Sequence, residues 1–161
     1  MQKPEAGPEH LWLQKFVGEW LTQGEVNCGE SCMATSGTES TRALGDFWII
    51  TEIRSAVGEG AEFHGIMQLG YDEANGGFVG SFIDNMGTHM WKYAGERNAG
   101  GNAVVLSSEG PFPDDRSRMM QVRETLEMLD ENTRRFTSEV QGEDGNWTVL
   151  FTSTARRKQE A

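Results

Sequence analysis

The sequence predicts an all-β fold: an antiparallel up-and-down β-barrel of about eight to ten strands, preceded by a short N-terminal helix. Segments in which apolar and polar residues alternate recur along the chain at nearly even spacing. The chain also contains 20 glycines in 161 residues, and Gly, Asn and Asp are concentrated between those segments, as hairpin turns require. A sheet built from this many hairpins must protect its edges, and closure into a barrel removes them.

The length and charge of the chain indicate how many domains it has and which partners it can bind. A chain of 161 residues is the size of one domain, which we expect to span residues 9–158 behind a flexible arm at residues 1–8. The formal net charge of -11 argues against nucleic acid and anionic membranes as partners. The sequence shows neither a secretory signal nor an apolar run long enough to cross a membrane, so a cytoplasmic location is expected.

The two cysteines, Cys28 and Cys32, lie close together in a polar segment. They could close a small loop through a disulfide or offer two thiolates to a soft metal. Two ligands do not complete a metal site, and a reducing cytosol favours free thiols. We therefore expect two free thiols in a loop.

A short amphipathic helix is predicted between Glu9 and Val17. Apolar residues recur there at i, i+4 spacing, and Pro8 is suited to the first turn of a helix. Gly18 then ends the helix, and the alternation that starts at Glu19 is typical of a strand. Trp20 lies on one face of this first strand.

The remaining strands are predicted from the same alternation. Residues 117–129 fit both a helical and an extended pattern. We predict a strand there, because the segment from Asp130 to Thr133 leads directly into another alternating run and a hairpin accounts for both halves. The other predicted strands are 47–54, 63–71, 78–84, 89–94, 103–107, 135–140 and 147–154.

Several motifs along the chain resemble a bacterial family of the calycin superfamily that is known mainly as a domain of unknown function. The resemblance covers residues 10–157 and implies a lipocalin-like barrel with an internal cavity, without an activity to carry over. The motifs are Pro8-Glu9-His10-x-Trp12-Leu13, Gly18-Glu19-Trp20, Leu69-Gly70-Tyr71-Asp72, Phe78-Val79-Gly80 and Thr88-His89-Met90-Trp91-x-Tyr93.

The segment Gly18-x-Trp20 also resembles the Gly-x-Trp motif of lipocalins, in which the tryptophan packs under an arginine from late in the barrel. The resemblance implies that Trp20 is a structural plug at the narrow end of the barrel. Arg156 or Arg157 would then stack on the indole ring, and we predict that Arg157 is the residue that does so.

Metal and haem sites are not expected. The chain has 3 histidines, His10, His64 and His89, and their spacing matches no metal-binding motif. Haem-binding barrels of the nitrobindin type resemble this fold and hold iron through a histidine late in the chain. This sequence has no histidine after His89, so the resemblance does not extend to a haem site, and no cofactor is expected.

The candidate binding residues lie on two predicted strands. His89, Trp91 and Tyr93 share one strand face and are predicted to face the lumen, either as a packed aromatic row or as a ligand-contacting wall. Glu124 falls on an apolar face, where a carboxylate needs a partner. Arg156, Arg157 or His89 could supply it, giving either a structural pair or a group that orients a ligand or acts as an acid or base.

Three functions remain open from the sequence. The first is binding of a small hydrophobic or amphipathic molecule in the lumen, by the residues His89, Trp91, Tyr93, Glu124 and Arg156. The second is an enzyme that uses His89 or Glu124 as an acid or base, and the third is an assembly protein with a packed barrel. A homodimer is also possible, through outward apolar residues such as Leu21 or Ile50.

Overall fold

The computed structural model describes residues 1–159 and confirms the predicted fold class. Ten antiparallel strands close into one barrel, in which each strand pairs with its neighbours in sequence and β1 pairs with β10. The elements are α1 (Pro8–Gln14), β1 (Gly18–Asn27), β2 (Cys32–Leu44), β3 (Trp48–Val57), β4 (Ala61–Asp72), β5 (Gly77–Asp84), β6 (Trp91–Arg97), β7 (Ala103–Pro111), β8 (Met119–Asp130), β9 (Thr133–Gln141) and β10 (Trp147–Arg157).

The sequence-based assignments match these elements with one main difference, which is strand β2. The ambiguous segment 117–129 is a strand, β8, as predicted. Strand β2 was not predicted, because its inward row consists largely of small or polar residues such as Thr35, Glu39 and Thr41 and therefore shows no apolar alternation. Cys32 begins this strand and Cys28 lies in the turn before it, and both are exposed free thiols.

Helix α1 covers one end of the barrel, which we call the closed end. Its apolar residues Trp12 and Leu13 are buried in the core, and Phe16 follows directly after the helix. His10 is buried too, with Nε2 3.0 Å from the carbonyl oxygen of Tyr71. The opposite end, formed by the turns at 28–31, 58–60, 85–90, 112–118 and 142–146, is called the open end. Within residues 1–159 there is no helix of the length and hydropathy that a membrane span requires.

Trp20 and Arg157 join the first and last strands at the closed end. They are register partners in the β1–β10 ladder, and the Arg157 guanidinium lies 4.2 Å from the centroid of the Trp20 ring. Trp20 is 1% exposed, and its indole N–H donates to the Phe16 carbonyl at 2.9 Å. Gly18 has a φ of 137°, and a Cβ at this position would lie 2.5 Å from Arg157 Nη1. The Gly-x-Trp motif thus combines a backbone conformation that favours glycine with space for the arginine.

Arg157 also connects three segments through its hydrogen bonds. Its guanidinium donates to the carbonyl oxygens of Val17 at 2.7 Å, Lys15 at 3.0 Å and Glu131 at 3.0 Å. Arg156 is exposed on the outer surface, because consecutive strand residues point to opposite faces. Arg157 is therefore the residue that stacks on Trp20, and Arg156 is not available to the lumen.

We expect Arg157→Ala to lower the free energy of unfolding by about 2–3 kcal/mol, since it removes charged hydrogen bonds and the contact with Trp20. Arg156→Ala removes the same charge from the adjacent residue and should change stability by less than about 0.5 kcal/mol. Urea denaturation followed by tryptophan fluorescence measures both. Equal losses in the two variants would show that the Arg157 contacts do not hold the closed end together.

Candidate functional site

The barrel encloses an open lumen of about 400 Å³. This volume lies within the range of small-molecule sites, and the lumen is partly open to solvent rather than filled by side chains. Most of its wall is apolar. The apolar lining residues are Phe16, Val26, Ile49, Ile53, Val57, Phe63, Met67, Phe82, Trp91, Met120, Val122, Leu126, Phe136, Leu150, Phe151 and Ala155.

A hydrogen-bonded pair of ionisable side chains interrupts this apolar wall. The Tyr93 hydroxyl on β6 donates to Glu124 Oε2 on β8 at 2.5 Å, across the intervening strand β7. The Ser138 hydroxyl on β9 donates to the other carboxylate oxygen at 3.4 Å. Each of these three residues occupies an inward-facing position on its strand, so their polar groups meet in the lumen.

Burial raises the pKa of Glu124 to about 7, although the hydrogen bonds from Tyr93 and Ser138 favour its ionised form. Protein surrounds the carboxyl group, which borders water only through the lumen. Burial, followed by the nearby charge of Glu124, raises the pKa of Tyr93 far above its usual range. Tyr93 therefore remains a neutral hydrogen-bond donor, while Glu124 changes its protonation state near neutral pH and can accept, donate or exchange a proton.

A second polar group lies toward the closed end. Arg134 on β9 forms a buried ion pair with Glu39 on β2. The Arg134 guanidinium lies 4.4 Å from the Trp20 ring centroid and 5.5 Å from that of Phe16. Burial lowers the pKa of Arg134, and Glu39 opposes this effect. Arg134 Nε has no hydrogen-bond partner within residues 1–159.

Trp91 forms the wall where the β6–β7 ladder stops. That ladder pairs β6 residues only from Ala94 to Arg97. The Trp91 ring covers Gly110 of β7, and a Cβ at Gly110 would lie 2.2 Å from it. Gly110 thus lets the indole lie directly against the strand.

The structure places the predicted binding residues in different surroundings. Trp91, Tyr93 and Glu124 all line the lumen. His89 precedes β6 and lies outside the described lining, with Nε2 2.9 Å from the Glu109 carbonyl oxygen and its ring 4.9 Å from that of Trp91. The expected row is therefore two residues long, because the strand begins only at Trp91.

Two further expectations are corrected. Arg156 points outward, since Ser153 and Ala155 are the inward residues of β10. Glu124 is paired with Tyr93 and Ser138 rather than with an arginine or histidine. The sequence could not show the contact with Tyr93, because Tyr93 lies on β6, outside the β8–β9 hairpin that carries Glu124 and Ser138.

Sequence reasoning also missed Arg134, Glu39 and Ser138. One signal for Arg134 was present: it is followed by Arg135 at the start of a strand, and one of two consecutive strand residues must face inward. No comparable signal marked Glu39, because β2 itself was not predicted. The described residues contain no group of three or more His, Cys, Asp or Glu side chains placed to hold a metal ion.

The fold and lumen define a closed antiparallel β-barrel with an internal cavity. The chain belongs to the family described as "Protein of unknown function (DUF1579)", which matches residues 5–157. No curated protein matches the chain.

Several solved structures share the fold at low sequence identity. Rv2717c from M. tuberculosis superimposes with a TM-score of 0.68 and 11% identity, covering 96% of this chain and 100% of that chain. The S-type phycobiliprotein lyase CPES from Guillardia theta gives a TM-score of 0.61 and 13% identity, covering 97% of this chain and 100% of that chain. The barrel EF1p2_mFAP2b bound to DFHBI gives 0.52 and 9%, covering 93% and 99%. These similarities concern the fold alone.

The buried Glu124 carboxyl should make stability depend on pH. Its pKa is about 7 in the folded protein against a usual 4.5, so the folded state binds more protons between these values and stability falls as pH rises through them. Relative to Glu124→Gln, the wild type should lose on the order of 2 kcal/mol between pH 5 and pH 8. Urea denaturation of both proteins across this range measures the difference.

Two further variants test the cause of this pH dependence. Tyr93→Phe removes a hydrogen bond to the ionised carboxylate, so the transition should move to higher pH. Glu127→Gln removes a carboxylate from the outer side of β8, where it faces Arg135 at 3.6 Å, and should leave the transition in place. Parallel curves for the wild type and Glu124→Gln would contradict the raised pKa.

Proposed function

We propose that this protein binds a small, largely apolar molecule inside the barrel. The observation that carries the proposal is the open lumen of about 400 Å³, whose wall is apolar except for a few grouped polar side chains. Sites for small molecules combine these two features, since apolar surface provides affinity and a few polar groups fix orientation. Trp91 and Tyr93 supply rigid aromatic surface, and Glu124 supplies a polar anchor.

The comparisons are consistent with this function without specifying a ligand. A barrel of the same general fold is described as bound to DFHBI, and another is named a phycobiliprotein lyase. The first of these is an example of a barrel with this general fold that holds a bound small molecule. The lumen residues of the present chain must define which molecule it prefers.

Binding should be visible with the neutral, polarity-sensitive dye N-phenyl-1-naphthylamine. We expect its emission to rise and shift to the blue when it enters the lumen. Ser153→Phe places a ring in the lumen and should weaken dye binding by about tenfold or more. Fluorescence titration gives the dissociation constants.

Thr154→Phe is the matched control, because Thr154 is the next residue of β10 and points to the outer surface. Its affinity for the dye should stay within about twofold of the wild type. The proposal fails if the wild type does not enhance dye emission, or if Ser153→Phe binds the dye as well as the wild type does.

An enzyme is the second candidate, because Tyr93 and Glu124 are two ionisable groups within hydrogen-bonding distance in an accessible lumen. A carboxyl group with a pKa of about 7 is suited to exchange protons near neutral pH. A binding protein releases its ligand unchanged, whereas an enzyme converts the bound molecule into a product. Mass spectrometry of material retained by the protein from its own host, before and after incubation, separates unchanged ligand from product.

We also propose a cytoplasmic homodimer. Leu21 is 50% exposed on the outer surface, and pairing of two such faces would bury it. The free thiols of Cys28 and Cys32 are consistent with a reducing compartment. Light scattering across a concentration series should give a dimer mass, and a strict monomer at high concentration would contradict the dimer.

A further inference from the structure

One carboxyl group that lines the lumen has no oppositely charged side chain beside it. The charged residues among its described lining are Glu39, Glu124, Arg134 and Arg135. Arg134 is paired with Glu39, and the side chain of Arg135 is half-exposed and faces Glu127 at 3.6 Å. Glu124 is thus the lining carboxyl group that has no cation beside it among residues 1–159.

Each strand around Glu124 presents neutral groups to it. Leu106 of β7 and Ser138 of β9 are its register partners, and Tyr93 of β6 donates the hydrogen bond at 2.5 Å. On β8 itself the adjacent inward residues are Val122 and Leu126. The ionisable group that faces Glu124 directly is therefore the Tyr93 phenol, which stays protonated.

In these surroundings an ionised Glu124 carboxylate has no opposite charge beside it and too few hydrogen-bond donors. Two hydroxyl donors satisfy part of its hydrogen-bonding capacity, but a carboxylate accepts more bonds than these two. Removing a charge from water without an opposite charge is costly, and a ligand that supplies this charge recovers much of that cost. The lumen gives such a ligand access to the carboxyl group.

We propose that the ligand is an amphipathic amine, whose protonated head group pairs with Glu124 and whose apolar tail points to the open end. This inference rests on the proposed binding function and specifies its ligand class. Glu124 lies five positions along β8 from Met119 at the open end. With a rise of about 3.4 Å per residue and a strand tilt of about 40°, this corresponds to a depth of about 13 Å. The wall over this depth, including Val122, Met120 and Trp91, is apolar.

An anionic ligand fits the same lumen less well. Arg134 is the buried cation of the lining, and Glu39 already neutralises it. A carboxylate bound at the free Arg134 Nε–H would add a third acidic group to a lumen that contains two carboxyl groups and one buried guanidinium. The charge balance therefore favours a cation over a fatty acid.

Three probes with the same tail distinguish these ligand classes: decylamine, 1-decanol and decanoic acid. We expect decylamine to bind about tenfold more tightly than 1-decanol at pH 8.5, and decanoic acid to bind more weakly than both. Isothermal titration calorimetry at pH 5.5, 7.0 and 8.5 measures the affinities.

The affinity for decylamine should also increase with pH. The amine stays protonated throughout this range, whereas Glu124, with a pKa of about 7, ionises within it. With a preference of about tenfold for the ionised carboxylate, the change in ionised fraction predicts an increase of about eightfold between pH 5.5 and 8.5. The affinity for 1-decanol should change little, because the alcohol carries no charge.

Glu124→Gln should remove both the pH dependence and the preference for decylamine while retaining 1-decanol. Glu127→Gln, with the same change on the outer side of the same strand, should behave as the wild type. If Glu124→Gln does not fold, the wild-type series at three pH values still decides the question.

The outcomes separate the two levels of the proposal. If none of the three probes binds, the binding function itself is wrong. If 1-decanol or decanoic acid binds as tightly as decylamine at pH 8.5, or if decylamine affinity does not rise with pH, the amine assignment is wrong and the apolar lumen remains a binding site. If Glu127→Gln reproduces the loss seen in Glu124→Gln, the effect is one of overall charge and the assignment to Glu124 is wrong.

Discussion

The contact between Trp20 and Arg157 is the constraint on which the rest of the molecule depends. These residues are opposite each other where the first strand meets the last, and closure of the barrel brings them together. Arg157 also binds carbonyl oxygens from the segment after α1 and from the β8–β9 turn. One side chain thus connects the helix, the closing strand pair and a hairpin at the same end of the barrel.

Packing at the closed end of the barrel leaves an internal space toward the open end. The core cluster formed by the helix and the adjacent strand ends includes Trp12, Leu13 and Phe16, so much of the packing is concentrated there. Toward the open end the inward side chains border a lumen instead of meeting one another. A barrel secured at one end can keep an internal space, because its hydrogen-bonded ladders hold the wall without a filled interior.

The polar residues of the lumen have two different physical roles. Arg134 and Glu39 neutralise each other beside aromatic rings and belong to the closed end. Glu124, Tyr93 and Ser138 form a cluster that includes an ionisable carboxyl group and no cation. The charges of Arg134 and Glu39 neutralise each other, whereas the Glu124 cluster can still bind a group of opposite charge. This difference favours Glu124 over Arg134 as the group that pairs with a charged ligand.

The sequence by itself determined the barrel, because alternation and turn chemistry are local properties that survive in a one-dimensional pattern. It also determined the Gly18-x-Trp20 position and the inward faces that carry Trp91, Tyr93 and Glu124. Tertiary structure alone decided that β2 is a strand and that Arg156 and His89 both lie outside the lumen. It also decided that Glu124 pairs with Tyr93, since these residues lie 31 positions apart and meet only when closure fixes which strands are neighbours.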